Sequence, residues 1–309
     1  MADTWEQGAL ATVFGGSGFV GRHAVRALAR RGWRIRAASR RPDLAGFLQP
    51  MGGVGQIAPV QANLRYPDSV ARAVEGAHLV VNCVGILAPA GRQTFEALHV
   101  EGARTVARAA RAAGARHLVH ISSIGASAQS PGRYGRTKAA GEAAVLAEFP
   151  DAVILRPSIV FGPEDTFFNR FAAMAVHAPF LPLIGGGRTR LQPVYVGDVA
   201  SAVAAVAEGK AKPGAVYELG GPEVQTFRQL IERTQDRVAA VLAGGAGRHS
   251  GCTAAAGPAA DHGRPGSDAE GRQRGERGRA EGRPHAGRAR HHHAARHLDD
   301  RAAVPRAVS

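Results

Sequence analysis

The stretch RYGRTK, residues 133–138, sets Tyr134 and Lys138 four positions apart, so on a helix both side chains share a face. Ser123 precedes Tyr134 by eleven residues. These three residue types suit proton transfer at a carbonyl or hydroxyl oxygen. The tyrosine would give or take the proton. Its unperturbed pKa is about 10, so it needs a nearby cation to work near neutrality. Lys138 is placed to supply that charge, and Ser123 to hold the substrate oxygen. The spacing alone carries little weight, because an isolated Y-x-x-x-K is usually a surface aromatic beside a solvated lysine. What decides is whether the surrounding chain builds a site.

A second motif supplies that setting. GGSGFVG, residues 15–21, follows the apolar run ALATVF and opens a stretch in which Val20, Ala24 and Leu28 share a helical face. Strand, glycine turn and helix together receive a dinucleotide pyrophosphate. Gly15 and Gly16 permit the tight turn, Gly18 lets phosphate approach the backbone, and Gly21 lets the helix pack close to the strand. Ser17, Phe19 and Val20 complete the loop at the helix N-terminus, where free N–H groups and the positive end of the dipole meet an anion. At the end of the second strand, where a carboxylate would bind the ribose 2′-hydroxyl of NAD(H), stand Ser39, Arg40 and Arg41. Guanidinium donors suit a 2′-phosphate instead, so NADP(H) is expected over NAD(H). Asn63 and Leu64 follow the third strand and are placed to edge the adenine. Asn82, Val84 and Gly85 end the fourth and are placed beneath the ribose. Tyr134 and Lys138 join the cofactor set, Lys138 through the nicotinamide ribose, and Pro157 closes it at the end of the sixth strand. Cys83 reads as a small buried residue, not a nucleophile.

The elements that must hold these residues alternate along the chain. WRIRAAS, GQIAPVQAN, AHLVVNCVG, RHLVHISS and DAVILRPS read as strands. Helices are expected from Pro67, over 93–113 up to Gly114, and through Tyr134 to about Glu148. AHLVVNCVG is continuously apolar, as a strand buried on both faces must be. The pattern predicts an α/β fold with a doubly wound, mostly parallel, Rossmann-like sheet. Further on, PVYVGDVASAVAAVAE reads as strand then helix with Asp198 as cap, AVYELGGPE as a strand, and TFRQLIERT as a helix capped by Thr226.

Residues 1–237 are thus expected to form an NAD(P)-binding domain with a partial substrate lobe, and 238–309 a low-complexity tail. That tail has twelve Arg, no Lys and no aromatic residue, so burial cannot offset its ordering entropy and disorder is expected. A GC-rich gene read in the wrong frame gives such a composition. We therefore expect a frameshift near 235–245, an idea that resequencing would sink by finding the frame intact. The alternative is a basic tail that binds an acidic surface.

Composition removes several classes. The chain of 309 residues carries a formal net charge of +14, which raises nucleic acid as a partner. Only Lys138, Lys210 and Lys212 are lysine among the 39 basic residues, and the arginines are spread out without interleaved aromatics, so nucleic-acid binding is not expected. No run of about 18 apolar residues marks a membrane span. The first residues show no basic flank and apolar core of a secretory signal. Cys83 and Cys252 give no disulfide framework and fit a reducing, cytoplasmic compartment. The run HHH at 291–293 has no spaced partners, so no metal site is expected.

With these residues in place the chain resembles the extended or atypical short-chain dehydrogenases/reductases. GGSGFVG, the serines at 122–123, YGRTK, LRPSIVFGPED and PVYVGDVA carry that resemblance. Within the superfamily it is similar to the nucleotide-binding accessory subunit of respiratory complex I and its bacterial relatives, through GRQTFEALHVEGARTVARAARAAG, ILRPSIVFGPEDTFFNRFA and LIGGGRTRLQPVYVGDVA. The resemblance spans about residues 9–235. It implies a bound NADPH that is kept, not turned over, and a structural or assembly role in the respiratory chain or quinone metabolism. It also implies association with complex I or another membrane-associated assembly, peripheral on the inner face of the respiratory membrane. Ser123, Tyr134 and Lys138 match the superfamily's Ser-Tyr-Lys set, which keeps open a reductase or epimerase acting on a small carbonyl or sugar-nucleotide substrate. An interaction protein working through its basic tail is the third reading.

Overall fold

The apolar run at Leu10–Phe14 becomes β1, the strand on which the sheet is built. The computed structural model describes residues 8–177, 181 and 183–246, with only the backbone at 184 and 242–246. β2 (Arg34–Ser39), β3 (Ile57–Gln61), β4 (Leu79–Asn82), β5 (His117–Ile121), β6 (Val153–Pro157) and β7 (Val216–Leu219) join it. The spatial order is β7-β6-β5-β4-β1-β2-β3, and every pairing is parallel. Val13 faces Ala37 on one side and Val81 on the other. The chain reverses its direction of travel across the sheet between β1 and β4, the switch point where such folds bind ligands beyond the strand C-termini. The expected Rossmann-like class is the observed one.

Two apolar layers enclose the sheet. On one face Val13, Ile35, Val81 and Leu155 meet Val25 and Leu28 of α1 (Phe19–Ala29) and Val203 of α6 (Val196–Ala207). On the other, Phe14, Val80, Leu118 and Ile154 meet Val70 of α2 (Pro67–Val74), Val106 of α3 (Gly102–Ala112) and Val145 of α4 (Arg133–Glu148). Each such Val, Leu, Ile or Phe gains about 1.5–3 kcal/mol by burial. All four residues of β4 are buried, which is why its sequence does not alternate.

Two expectations change in detail and a third holds. The helix expected over 93–113 is broken: Glu96–Glu101 forms a π-helical turn before α3. α4 packs so close to that turn that a Cβ at Gly141 would collide with the His99 carbonyl oxygen. The extra residue of the turn accommodates that approach. Asp198 is not a cap: Tyr195 holds the N-cap position, and Asp198 lies in the first turn of α6, where its charge favours the dipole. Thr226 does cap α7 (Phe227–Ala246). Its hydroxyl accepts the Gln229 N–H at 3.3 Å while Gln229 Oε1 accepts the Thr226 N–H at 2.8 Å, a capping box.

α7 runs past 237 to Ala246, since RVAAVLA is helix-compatible. The rest of the expected tail, including the histidines at 291–293, lies outside the described residues. α5 (Phe168–His177) and two short strand pairs, Val160–Phe161 with Val194–Tyr195 and Arg190–Leu191 with Gln225–Thr226, stand apart from the seven-stranded sheet. No described helix is long and apolar enough to cross a membrane.

Candidate functional site

The glycine loop forms a phosphate cradle at the end of β1. Gly15 has φ +73°, which glycine adopts without strain, and its carbonyl accepts the Gly18 N–H at 2.9 Å. A Cβ at Gly21 would collide with that same carbonyl, so α1 begins hard against the loop. Gly16 lies close under β2, where a Cβ would come 3.1 Å from Ala37 Cβ. α1 has no side-chain cap and no acid in its first turn, leaving its N–H groups to an anion. Arg22 braces the loop by donating to the carbonyls of Ser17 (3.1 Å) and Gly18 (3.3 Å). Phe19 turns its ring edge-on to His23, and Val20 is half-buried. Neither faces the cleft.

A cleft of about 410 Å³ opens from this cradle. Gly15, Ser17 and Gly18 line its start. Ser39, Arg40 and Arg41 line it from β2, Asn63 and Leu64 from β3, and Val84 and Gly85 from β4. The structure thus brings together most of the cofactor residues expected from sequence. Asn82 acts one layer beneath: its Oδ1 accepts the Val84 N–H at 3.1 Å, and its amide pairs with His120 Nδ1 at 3.2 Å. Pro157 stands outside the lining, its carbonyl accepting the Ile124 N–H at 3.0 Å.

The arginines of the cleft differ in availability. Arg41 is held by Asp43, with Nη2 2.7 Å from Oδ2. Arg65, which the sequence reading passed over, lines the same cleft with its guanidinium 5.6 Å from the Tyr66 ring and, among the described residues, without an acidic partner. Its signal was its place one residue after Asn63–Leu64. Among the described residues no carboxylate lines the cleft, and Ser39 Oγ is buried without a hydrogen-bond partner. A glycine cradle, bare helix N–H groups, an unpartnered hydroxyl and free guanidinium groups fit a nicotinamide dinucleotide. Such a group would supply hydride chemistry when bound.

Ser123, Tyr134 and Lys138 lie outside this cleft's lining but are tied to it from beneath. Among the described residues Ser123 Oγ is buried with no well-formed hydrogen bond, yet stands near enough to the Tyr134 phenol to lower its pKa. Desolvation outweighs that effect and raises the Tyr134 pKa above its ordinary value. Lys138, expected to ease the phenol's ionisation, is not among the causes of that shift. Lys138 Nζ instead donates to the Ile121 carbonyl at 2.8 Å. Burial pushes the lysine down to about 8, with Glu142 pulling the other way. Burial pushes the Cys83 thiol up to about 12, which keeps it protonated near neutrality.

Glu142, one turn beyond Lys138, was also missed. Its carboxylate is buried, accepts a short bond from Ser122 Oγ and takes Arg156 in a fork at 3.0 and 2.6 Å. Its four-residue step from Lys138 was the available signal. His99 was missed as well. It is buried, its ring meets Tyr134 edge-on at 5.4 Å, and desolvation first and Lys138 second push its pKa down to about 4. Among the described residues no group of three or more His, Cys, Asp or Glu is placed to hold a metal.

Comparison with known proteins agrees with this geometry. Residues 11–220 match the NAD dependent epimerase/dehydratase family. The chain belongs to that family. Its curated relatives include the mitochondrial NADH dehydrogenase [ubiquinone] 1 alpha subcomplex subunit 9 of Arabidopsis thaliana, 39% identical over 75% of this chain and 58% of the relative. A ceramide reductase of Caulobacter vibrioides is 35% identical over 62% of this chain and 59% of its own length. The chain spans 58% to 66% of the length of the first curated relatives it matches. Among solved structures, gox2253 superposes with a TM-score of 0.62 at 25% identity, covering 74% of this chain and 75% of that one. MoeE5 in complex with UDP-glucose and NAD superposes with a TM-score of 0.63 at 22% identity, over 74% and 82%, a likeness of fold alone.

Proposed function

We propose that this chain is an NADP(H)-binding protein of the complex I accessory-subunit type. It holds the nucleotide in the cleft between β1, β2 and β4 and serves a structural or assembly role in a respiratory-chain assembly at the membrane surface. One observation carries the choice of nucleotide: among the described residues, the adenosine end of the cleft presents Arg40 and Arg65 without acidic partners, and no carboxylate lines it. Guanidinium groups attract a 2′-phosphate, whereas NAD(H) is ordinarily read by a carboxylate. The similarity to subunit 9 of NADH dehydrogenase [ubiquinone] in several organisms supports the respiratory setting. Retention over turnover is supported by the half-buried, less acidic Tyr134 and by the bond of Lys138 to a backbone carbonyl.

The deciding experiment titrates the purified chain with NADPH and NADH by fluorescence. Binding selective for NADPH is expected, and equal affinity for the two would remove the basis of the assignment. Co-purification with respiratory membranes tests the setting.

A second reading has its own observation. The unpartnered Ser123 hydroxyl beside Tyr134 is suited to receive a carbonyl oxygen, as an NADP(H)-dependent reductase or epimerase needs. Turnover of a carbonyl or sugar-nucleotide substrate that Tyr134→Phe abolishes, with NADPH affinity kept within about 3-fold, would favour that reading.

A further inference from the structure

The cleft and the Tyr134 helix are joined by one side chain, His99. It sits on the π-helical turn Glu96–Glu101, an irregularity that often marks a functional place in a helix. Its Nε2 accepts the N–H of Ile86, a cleft-lining residue, at 3.1 Å. Because Nε2 accepts, the ring proton sits on Nδ1, which points at Thr137 Oγ1 at 3.1 Å. The Thr137 hydroxyl in turn donates to the Tyr134 carbonyl at 3.0 Å. The chain of bonds therefore runs from the cleft loop, through one neutral imidazole, into the first turn of α4.

Packing gives the same link a second fastening. The His99 ring lies against Phe95, with centroids 5.2 Å apart, and Phe95 meets Tyr134 edge-on at 6.0 Å. The His99 backbone carbonyl fills the space where Gly141 of α4 lacks a side chain. Glu96 forks onto Arg133 at the start of α4, with both contacts at 2.8 Å. A histidine that only filled the core would need no partner outside its own layer. This one satisfies one backbone N–H of the cleft and one hydroxyl of the tyrosine helix, and among the described residues no other acceptor serves that N–H.

We propose that His99 is a positioning residue: its imidazole clamps the 84–86 loop of the cleft to α4, holding the nucleotide floor and Tyr134 in one register. The proposal rests on the nucleotide reading above and adds how the two halves of that site are kept together. Loss of the acceptor leaves the part-buried Ile86 N–H without its partner, so the loop must shift or admit water to satisfy it. Its first consequence falls on nucleotide affinity and its second on the approach of Tyr134.

The test uses the full-length chain and three variants. His99→Gln keeps an acceptor near the Nε2 position, His99→Asn keeps only the Thr137 partner, and His99→Leu keeps neither. NADPH titration should leave His99→Gln within about 3-fold of wild type and weaken His99→Asn and His99→Leu on the order of tenfold. Rescue by glutamine but not asparagine separates the clamp from general packing. Wild-type affinity in His99→Leu or His99→Asn would overturn the proposal. Should those variants not fold, nitrogen NMR of the wild-type imidazole still decides: an unprotonated Nε2 supports the clamp, and a protonated one overturns it. If the wild type binds neither nucleotide, the function reading fails by itself. Exchange of the Ile86 amide then judges the clamp, being slow in wild type and fast in His99→Leu if it holds and equal in both if it does not.

Discussion

Arg40, Arg41 and Arg65 all face one cleft, but a charge already paired is a poor ligand donor. Asp43 holds Arg41 through three nitrogen–oxygen contacts of 2.7 to 3.2 Å, while among the described residues Arg40 and Arg65 have no acid beside them. A charge-assisted hydrogen bond contributes about 1.5–3 kcal/mol, or roughly 10- to 100-fold in affinity. Arg40→Ala and Arg65→Ala should each weaken NADPH binding by about tenfold or more while leaving NADH within about 2-fold. Arg41→Ala should change neither by more than about 2-fold. A fluorescence titration in which Arg41→Ala proved the damaging change would reverse the assignment. The strand-end positions of Ser39–Arg41 and Asn63–Leu64 were legible because Rossmann geometry ties them to the first glycine turn. The pairing of Arg41 was not, because it depends on the 3-10 turn Pro42–Leu44 bringing Asp43 back onto its neighbour.

Along α4 the four-residue rhythm continues past the pair that first drew attention: Tyr134, Lys138 and Glu142 stand on one stripe. Glu142 is the anchor of that stripe, joined to Ser122 beyond β5 and to Arg156 on β6. The side chains are 7% and 24% exposed for Glu142 and Arg156, so the pair is largely, not wholly, shielded from water. Removing one partner of a buried pair costs roughly 3–5 kcal/mol, and the partial exposure of Arg156 places Glu142→Ala near about 2–3 kcal/mol. Urea unfolding should show that loss as a lower midpoint at unchanged slope, and a shift under about 0.5 kcal/mol would deny the anchor its role. Local signals survived translation into elements. Strand runs, glycine-closed helices and the Thr226 cap each depend on a few neighbouring residues. The π turn did not, because it arises where Gly141 lets α4 press on the His99 carbonyl, a contact between residues 42 apart in sequence. Asp198 failed as a cap for a related reason: the strand Val194–Tyr195 delivers the chain to α6 earlier than local composition suggests.

Over the whole molecule the balance of charge and of buried histidines points the same way, against acid. Twelve of the 39 basic and seven of the 25 acidic residues follow Ala246, so the excess positive charge resides mostly in the described part, and attraction to an anionic surface does not require the tail. Within the fold, burial and the nearby Lys138 hold His99 down to about 4 and His120 well below its ordinary value. Both groups titrate near 6.5 when unfolded. Between pH 6.5 and about 4, the unfolded chain therefore binds protons that the native chain refuses, and stability falls as pH falls. Each fully shifted histidine contributes a slope of up to about 1.4 kcal/mol per pH unit. Stability, full above about pH 6.5, should drop by roughly 2–4 kcal/mol between pH 6.5 and 5, a window above the range where most carboxylates titrate. On the alkaline side Lys138, held down to about 8, acts with the same sign, adding stability between about pH 8 and 10 as the native lysine sheds a buried charge. Urea midpoints measured from pH 5 to 7 test the acid limb: a flat profile would mean that water reaches both rings, and that the layer beneath the cleft is not the dry, hydrogen-bonded floor that its geometry describes.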